Sequence, residues 1–323
     1  MDLLEEIKRK LEIIKGYKEL KGINSTIVHI ERAEILLEKG KKEKDEFFFT
    51  DVIYRTNHAF EGILKEAYNI LAKKNSSKKT IFEIEEYFNT KDIFNERVLN
   101  LFKNYRKDWR NPSTHDYNLF FSEIEAFLAI ISISSFIHVL LDQIIEKLSF
   151  EREQEFAIDI APDIVKNIKN YENLNLFEKV IELLGKFDFK KIKSLNKEEG
   201  KHSKFELIGA IHAYFNQLDK NLNVIREPVI RSYGKTLRPD FLIEFEDQKV
   251  ILETRTILNN LAFYNGLYQL SDYLKYAGLK EGILFTLLIM SKKDITNKID
   301  VELKKKMIDK KIIVMSPEVI LEI

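Results

Sequence analysis

The chain has 323 residues, of which 45% are hydrophobic and 32% are charged, so it carries enough apolar material for a globular protein of one large domain or two. Lysine plus arginine equals aspartate plus glutamate at 52 each, so a nucleic-acid surface has to come from local patches rather than from a global basic field. The absence of cysteine excludes disulfides, thiolate zinc sites and cysteine nucleophiles, and fits a reducing cytoplasm.

Neither the N-terminal residues nor the most apolar segment suggests export or membrane insertion. Residues Met1 to Lys10 are charged and amphipathic, unlike a secretory signal. The segment from Ala126 to Leu141 is interrupted by serines and His138, and it is short for a bilayer span. We therefore expect a cytoplasmic protein without a membrane partner.

Apolar residues recur at helical spacing as far as about Leu148, which predicts an N-terminal helical bundle over residues 1–148. Five helices are expected. The first ends near Gly16, and the second starts at a cap on Asn24 or Ser25. The other three run from Phe49 to Leu71, from Phe94 to about Trp109, and from Pro112 to about Leu148. The last of them is apolar over most of its circumference, so other helices or a second subunit should cover it.

A charged helical connector is expected over residues 149–202, and the pattern then changes to an α/β domain with a mixed sheet over residues 203–323. Three short runs with turn residues between them predict an antiparallel meander. The expected elements are a helix at Ser203–Leu218, strands at Val224–Ile230, Leu237–Phe245 and Val250–Thr256, a helix at Leu261–Tyr276, a buried strand at Gly282–Met290, a further helix, and a strand at Ile312–Met315.

The run from Arg110 through Asn111 to His115 lies at the predicted junction between two helices of the bundle. A guanidinium offers a planar donor fork for phosphate oxygens, and imidazole is suited to proton transfer near neutral pH. Both could therefore face one phosphodiester. The alternative is structural, with Arg110 capping its helix through the last carbonyls and His115 exposed near the next helix start.

With this Arg-x4-His spacing, the long apolar helix after it and the earlier run Ala59 to Lys65, the helical domain resembles the HEPN family over most of residues 20–148. The resemblance implies a metal-independent ribonuclease whose composite site forms in a homodimer. His115 would move the proton of the 2′-hydroxyl or of the leaving oxygen, Arg110 would stabilise phosphate charge, and Asn111 would orient one of them.

In the C-terminal domain, Pro239-Asp240 and Glu253-Thr254-Arg255 are predicted on neighbouring strands joined by a tight turn. Strand alternation puts Glu253 and Arg255 on one face, and Asp240 on the same face as Arg238. Two carboxylates on adjacent strands make a plausible Mg²⁺ or Mn²⁺ site, in which the metal would activate a water.

With these residues, the domain resembles the PD-(D/E)xK nuclease fold over about residues 200–323. The resemblance adds Glu206, on the helix before the strands, as a third acidic metal ligand. It also implies nucleic-acid contacts from Arg238 and from Gln269 and Tyr273, which are four apart on one helix face. It also shows a departure, because Arg255 stands where the family has lysine. Guanidinium is essentially never deprotonated, so it does not replace the lysine chemically. Lys249 lies on the same strand face but four residues from Glu253, roughly 13 Å along the strand, so no lysine is an evident replacement.

The sequence predicts a multidomain nuclease in which a HEPN-like bundle is followed by a PD-(D/E)xK-like α/β domain. Its expected partners are RNA, DNA as a further substrate, a second copy of the chain, and an antitoxin or other defence-system protein, since such pairings look like defence or toxin effectors. Two other functions stay open. One is a nucleic-acid-binding or sensing protein whose C-terminal nuclease fold is degenerate, and the other is a structural protein that dimerises through the apolar helix.

Overall fold

The computed structural model describes residues 2–17, 21–115, 120–189, 192, 204–257, 260–288, 309–316 and 319–322. The chain divides into two compact units, Met1–Leu148 and Ser149–Ile323. The first is helical, and the second combines helices with a mixed sheet, which confirms the predicted class at this level.

The N-terminal unit is built from helices that each bury an apolar face. They are α1 (Leu3–Lys15), α2 (Lys21–Glu43), α3 (Phe47–Ile70), α4 (Ile81–Thr90), α5 (Glu96–Tyr105), α6 (Asn111–His115) and the first part of α7 (Glu123–Lys166). The predicted cap at Asn24 or Ser25 is wrong, because both residues lie inside α2, which is already helical at Lys21.

Helix α4 is absent from the sequence-based prediction, although its start carries a recognisable signal. The Thr80 side chain accepts a hydrogen bond from the Glu83 backbone N–H, and the Glu83 carboxylate accepts one from the Thr80 backbone N–H. This reciprocal arrangement satisfies two amides that a helix start otherwise leaves unpaired.

The predicted break between two helices at Arg110 is also wrong. A π-helical segment, Arg106–Arg110, joins α5 directly to α6, and the residues on either side of it keep helical backbone angles. Pro112 brings no N–H to this region, and a wider turn accommodates that loss. Side-chain hydroxyls bond the carbonyls here, from Ser113 to Trp109 and Arg110 at 2.8 and 3.1 Å.

Helix α7 has 44 residues and contains Pro162; it begins at Glu123 rather than at the predicted Pro112, and it extends to Lys166, beyond the predicted end near Leu148. Its part from Glu123 to Ile158 is long and apolar enough, by length and composition only, to cross a membrane, which corrects the expectation that this segment is too short. Half of its most apolar window is buried inside the protein, and the core helices of soluble proteins can share this length and composition.

The second unit is built around a six-stranded sheet with the order β1-β4-β5-β6-β7-β8. The strands are β1 (Asn223–Arg226), β4 (Phe241–Phe245), β5 (Gln248–Ile257), β6 (Glu281–Leu288), β7 (Lys311–Ser316) and β8 (Val319–Glu322). The pairs β5–β6 and β6–β7 are parallel and the others antiparallel, so the sheet is mixed, as predicted.

Helices cover both faces of this sheet, because its strands carry apolar residues on both sides. Val250 and Leu252 of β5 pack in one core with α8 (Leu176–Gly185) and α9 (Lys204–Leu218). Ile251, between them, packs in a second core with α10 (Asn260–Ala277). Alternate residues of β5 therefore face different helices.

Two details of the predicted layout are wrong in this unit. The first run of the meander breaks at Glu227, which has a φ of +47°, and a separate hairpin of β2 (Ile230–Ser232) and β3 (Lys235–Leu237) follows before β4. The predicted connector packs into the core of the second unit through Leu176, Phe177 and other apolar side chains, because these residues are too apolar for an exposed linker. The helix expected between Met290 and Ile312 falls on residues that are mostly outside the described ranges.

Candidate functional site

The carboxylates of Asp240 and Glu253 come together at the start of β4 and the middle of β5. The sequence had predicted Asp240 within a strand, but the residue lies immediately before β4. Its backbone N–H donates to Oε2 of Glu253 at 3.0 Å, and its Oδ2 accepts from the backbone N–H and the hydroxyl of Thr254 at 2.8 and 2.6 Å. These bonds fix both carboxylates against the neighbouring strand.

A lysine from outside the strands meets this pair. Lys204, the first residue of α9, places Nζ 2.8 Å from Oδ2 of Asp240 and 3.8 Å from Oε1 of Glu253. The sequence-based expectation that no lysine is near is therefore wrong. Spacing along the chain cannot reveal this lysine, since it precedes Asp240 by a helix and three strands.

Two arginines complete the surroundings. Arg255 has Nη2 3.8 Å from Oε1 of Glu253, and Arg226 has Nη1 3.9 Å from Oδ1 of Asp240. Arg226 also donates to the Asp240 backbone carbonyl at 2.9 Å. The two carboxylates thus face three cationic side chains, and Arg226 is a second residue that the sequence pattern missed.

Burial is the main influence on the protonation of Glu253. The side chain is almost completely buried, and this raises its pKa well above the ordinary value, with the Asp240 carboxylate adding to the rise. Lys204 and Arg255 act in the opposite direction. A cation close to the carboxylate favours its charged form, which burial disfavours.

The other predicted residues of this domain divide into two groups. The Gln269 side chain donates to the hydroxyl of Tyr273 on α10, and that hydroxyl donates to the Arg238 backbone carbonyl at 3.4 Å. The Tyr273 pKa is raised chiefly by burial, with smaller contributions from the Glu253 and Asp240 charges. These three residues therefore lie beside the carboxylate pair.

Glu206 is placed differently from the prediction. It is fully buried on α9, and its Oε1 lies 3.5 Å from Nη2 of Arg152. Within the described ranges, no set of three or more His, Asp or Glu side chains converges in a way that could hold a metal.

The carboxylate pair itself fits a divalent cation held by two ligands. Oδ2 of Asp240 already accepts three close donors, whereas the described contacts of Oδ1 and of Oε1 of Glu253 are ion pairs at 3.8–3.9 Å, longer than hydrogen bonds. Hard carboxylate oxygens suit Mg²⁺, which often takes one or two carboxylates and keeps several waters.

In the helical unit, Arg110 is held by a buried acid. Its Nε lies 3.3 Å from Oε1 of Glu85, and Nε of Arg106 lies 3.0 Å from the other Glu85 oxygen. Glu85 is fully buried on α4, which raises its pKa in spite of the two arginines. Glu85 forms an ion pair with both guanidinium groups but no hydrogen bond of regular geometry to either Nε, and no motif in the sequence predicted it.

The predicted neighbours of Arg110 are only partly defined. Nη1 of Arg110 is 3.5 Å from Oδ1 of Asn111, so these two side chains adjoin. His115 is the last residue of α6, but its side chain falls outside the described structure, and with it the expected convergence of His115 and Arg110. The Arg110 guanidinium pairs with Glu85 and does not cap the helix end as in the structural alternative.

A polar network fixes the segment after Arg110 onto α3. The Tyr105 hydroxyl donates to Oδ1 of Asn57 at 3.1 Å, and Nδ2 of Asn57 donates to the Ser113 hydroxyl at 2.7 Å. His58, next in the chain, is exposed and stacks on His29 of α2 with ring centroids 5.2 Å apart.

No protein family model, curated protein or solved structure matches this chain.

Proposed function

We propose that this protein is a nuclease and that the pair Asp240–Glu253, with Lys204, is its phosphodiester-cleaving site. The observation that carries the proposal is the distance of 2.8 Å between Nζ of Lys204 and Oδ2 of Asp240, a buried carboxylate at the start of β4. Buried carboxylates with perturbed protonation beside a specific charged partner are typical of functional sites.

Each residue then has a chemical role. Asp240 and Glu253 would hold a divalent cation, Mg²⁺ or Mn²⁺, which when bound supplies an activated water and charge neutralisation. Lys204 can stabilise negative charge that develops on the scissile phosphate, and it provides the amine that Arg255 cannot. Arg255 keeps Glu253 oriented and adds positive charge on the same strand face.

The helical unit supports a second activity in the same proposal, RNA cleavage without metal. Arg110, paired with the buried Glu85, can stabilise charge on a phosphate, and His115 of the same short helix would carry the proton. The ribose 2′-hydroxyl would be the nucleophile, so RNA would be cut and DNA spared.

We propose a homodimer for this unit, because α7 presents an apolar stripe to solvent. Ile124, Phe127, Leu128 and Ile131 follow helical spacing, and Ile124 is 70% exposed. Phe120 and Phe47 extend the stripe, with ring centroids 5.5 Å apart. Exposed apolar surface of this kind marks association sites.

Cleavage of labelled RNA and DNA, with and without EDTA, tests both activities. For the C-terminal site we expect EDTA-sensitive cleavage that Asp240→Asn abolishes, whereas the control Asp247→Asn, in the exposed β4–β5 turn, has no effect. Retained cleavage in Asp240→Asn would exclude this site.

For the helical site we expect EDTA-resistant RNA cleavage that both His115→Ala and Arg110→Met abolish. Arg106→Met is the matched control, since it removes an equivalent ion pair with Glu85. Equal loss in the Arg106 and Arg110 variants would reveal a structural role for both arginines instead.

One arrangement favours a different function, nucleic-acid binding without cleavage. Lys204, Arg226 and Arg255 place three cationic side chains at the C-terminal site, and Arg226 also pairs with Glu227 at 3.4 Å. Binding of either nucleic acid in the absence of any cleavage, with or without Mn²⁺, would select this alternative. A role as a defence or toxin effector rests on the family resemblances and would be tested by expression in growing cells.

A further inference from the structure

The hairpin β2–β3 ends in an exposed aromatic residue. Tyr233 and Gly234 form its two-residue turn, with φ values of +48° and +74°, as a type I′ turn requires. The Tyr233 side chain is 91% exposed, the highest value among the large hydrophobic residues of the described chain. An exposed ring at a turn that a smaller residue would suit better needs an explanation other than folding.

The base of the hairpin is fixed to α10, so the ring is presented by a rigid support. Ile230 and Leu237, opposite each other in the hairpin, pack against the apolar core that includes α10. Nearer the tip, Nζ of Lys235 donates to the Tyr276 hydroxyl at 2.8 Å and lies 4.6 Å from the centre of that ring. The Tyr233 and Tyr276 rings have centroids 6.4 Å apart.

Helix α10 connects this tip to the carboxylate site. Tyr273, which lies beside Asp240 and Glu253, precedes Tyr276 by three residues, a distance of about 4.5 Å along the helix axis. The hairpin also leads directly into the site, because its second strand is followed by Arg238, Pro239 and Asp240. The tip and the site therefore border one continuous surface.

The described part of this surface carries three exposed cations in a chain whose total charge is zero. They are Arg231, Lys235 and Lys275, on the hairpin and the adjoining end of α10, with Asp272 as an acidic neighbour of Lys235. Cations interleaved with exposed aromatic rings match the two parts of a nucleotide, its phosphate and its base.

We propose that the β2–β3 hairpin, with the end of α10, binds single-stranded nucleic acid and guides it to the Asp240–Glu253 site. An unpaired base stacks on the Tyr233 ring, and Arg231 and Lys235 contact the adjacent phosphates. A single strand is specified because only an unpaired base presents its face to a ring at a hairpin tip. This inference rests on the proposed nuclease function for the identity of the neighbouring site.

The test measures binding of a fluorescein-labelled single-stranded DNA 15-mer by anisotropy, in EDTA. Neither proposed activity cuts this probe, since one needs metal and the other a 2′-hydroxyl. Tyr233→Asn removes the ring but creates Asn-Gly, a favoured type I′ sequence, so the hairpin is preserved. We expect about 5- to 150-fold weaker binding, the range for losing one stacked base.

Two aromatic variants serve as controls. Tyr233→Phe should bind like the unmodified protein, and Tyr233→Trp should bind at least as well, with its fluorescence quenched on binding. Unchanged affinity in Tyr233→Asn would overturn the proposal. An equal loss for a covalently closed circular duplex would also overturn it, because no base of such a duplex exposes its face to the ring.

The outcome can be separated from that of the proposed nuclease function. Weaker binding in Tyr233→Asn, with no cleavage by the unmodified protein, would leave the strand-binding surface standing and remove the nuclease. Cleavage of single strands with full affinity and rate in Tyr233→Asn would do the opposite.

Discussion

Replacing Lys204 with methionine is the most direct perturbation of the carboxylate site. The change removes the ammonium group but keeps an unbranched apolar side chain of similar length. The ammonium lies 2.8 Å from Oδ2 of Asp240 and 3.8 Å from Oε1 of Glu253, so its loss leaves two buried carboxylates facing each other with less compensation.

The size of the effect follows from these distances. Coulomb's law at an effective dielectric constant of about 20 gives an attraction of ~6 kcal/mol for charges 2.8 Å apart. The Lys204 side chain is 32% exposed, so solvent screening and desolvation reduce the net contribution to folding to ~2 kcal/mol. We expect the melting temperature of the second unit to fall by ~4–8 °C.

The same variant should slow cleavage far more than it destabilises the fold. Removal of one group that stabilises transition-state charge typically costs about 10²- to 10³-fold in rate. Calorimetry and a cleavage assay well below the melting temperature measure the two effects separately. Lys220→Met, an exposed lysine of the same unit, is the control for both. A Lys204→Met protein that melts and cuts like the unmodified protein would refute the assignment, above all if Arg255→Met were inactive.

Three further predictions concern the helical unit. Glu85→Gln should lower the free energy of unfolding, measured by urea titration, by ~3 kcal/mol, because it leaves two arginines without their buried counter-charge. The control Glu86→Gln, at the neighbouring half-exposed residue, should be nearly neutral. Similar effects of the two substitutions would contradict this prediction. Burial lowers the pKa of His138 to about 4, below the unfolded value of about 6.5, so the unfolded state binds more protons between these values and stability should fall by ~2 kcal/mol as the pH drops through that window. His138→Gln should flatten this dependence, and an unaltered slope would count against it. Phe127→Glu should convert the dimer to monomer in sedimentation, while Phe82→Glu, exposed on α4, should not; a monomer before any substitution would end the dimer proposal.

The sequence predicted the boundaries of several elements well where a local signal sets them. The apolar stripe of α1 ends beside Gly16, and the turn at Glu246-Asp247 joins two strands as expected. Helix α4 was within reach too, through its Thr80–Glu83 capping sequence. These features depend on neighbours within a few residues, so one sequence is enough to find them.

Other features depend on residues that are distant in the chain. The pairing of Arg110 with Glu85 joins residues 25 positions apart, one on α4 and one at the end of the π-helical segment. Lys204 reaches Asp240 only because α9 packs on the face of the sheet where its first residue meets the start of β4. Periodicity carries no information about such meetings.

The amino-acid pattern alone determined that a helical part precedes an α/β part, and that two acidic residues accompany two consecutive strands, since hydrophobic spacing and turn chemistry are local properties. Only the tertiary structure decided which cations neutralise those acids, because a charge is paired by whatever lies within about 4 Å in space, whatever its position in the chain.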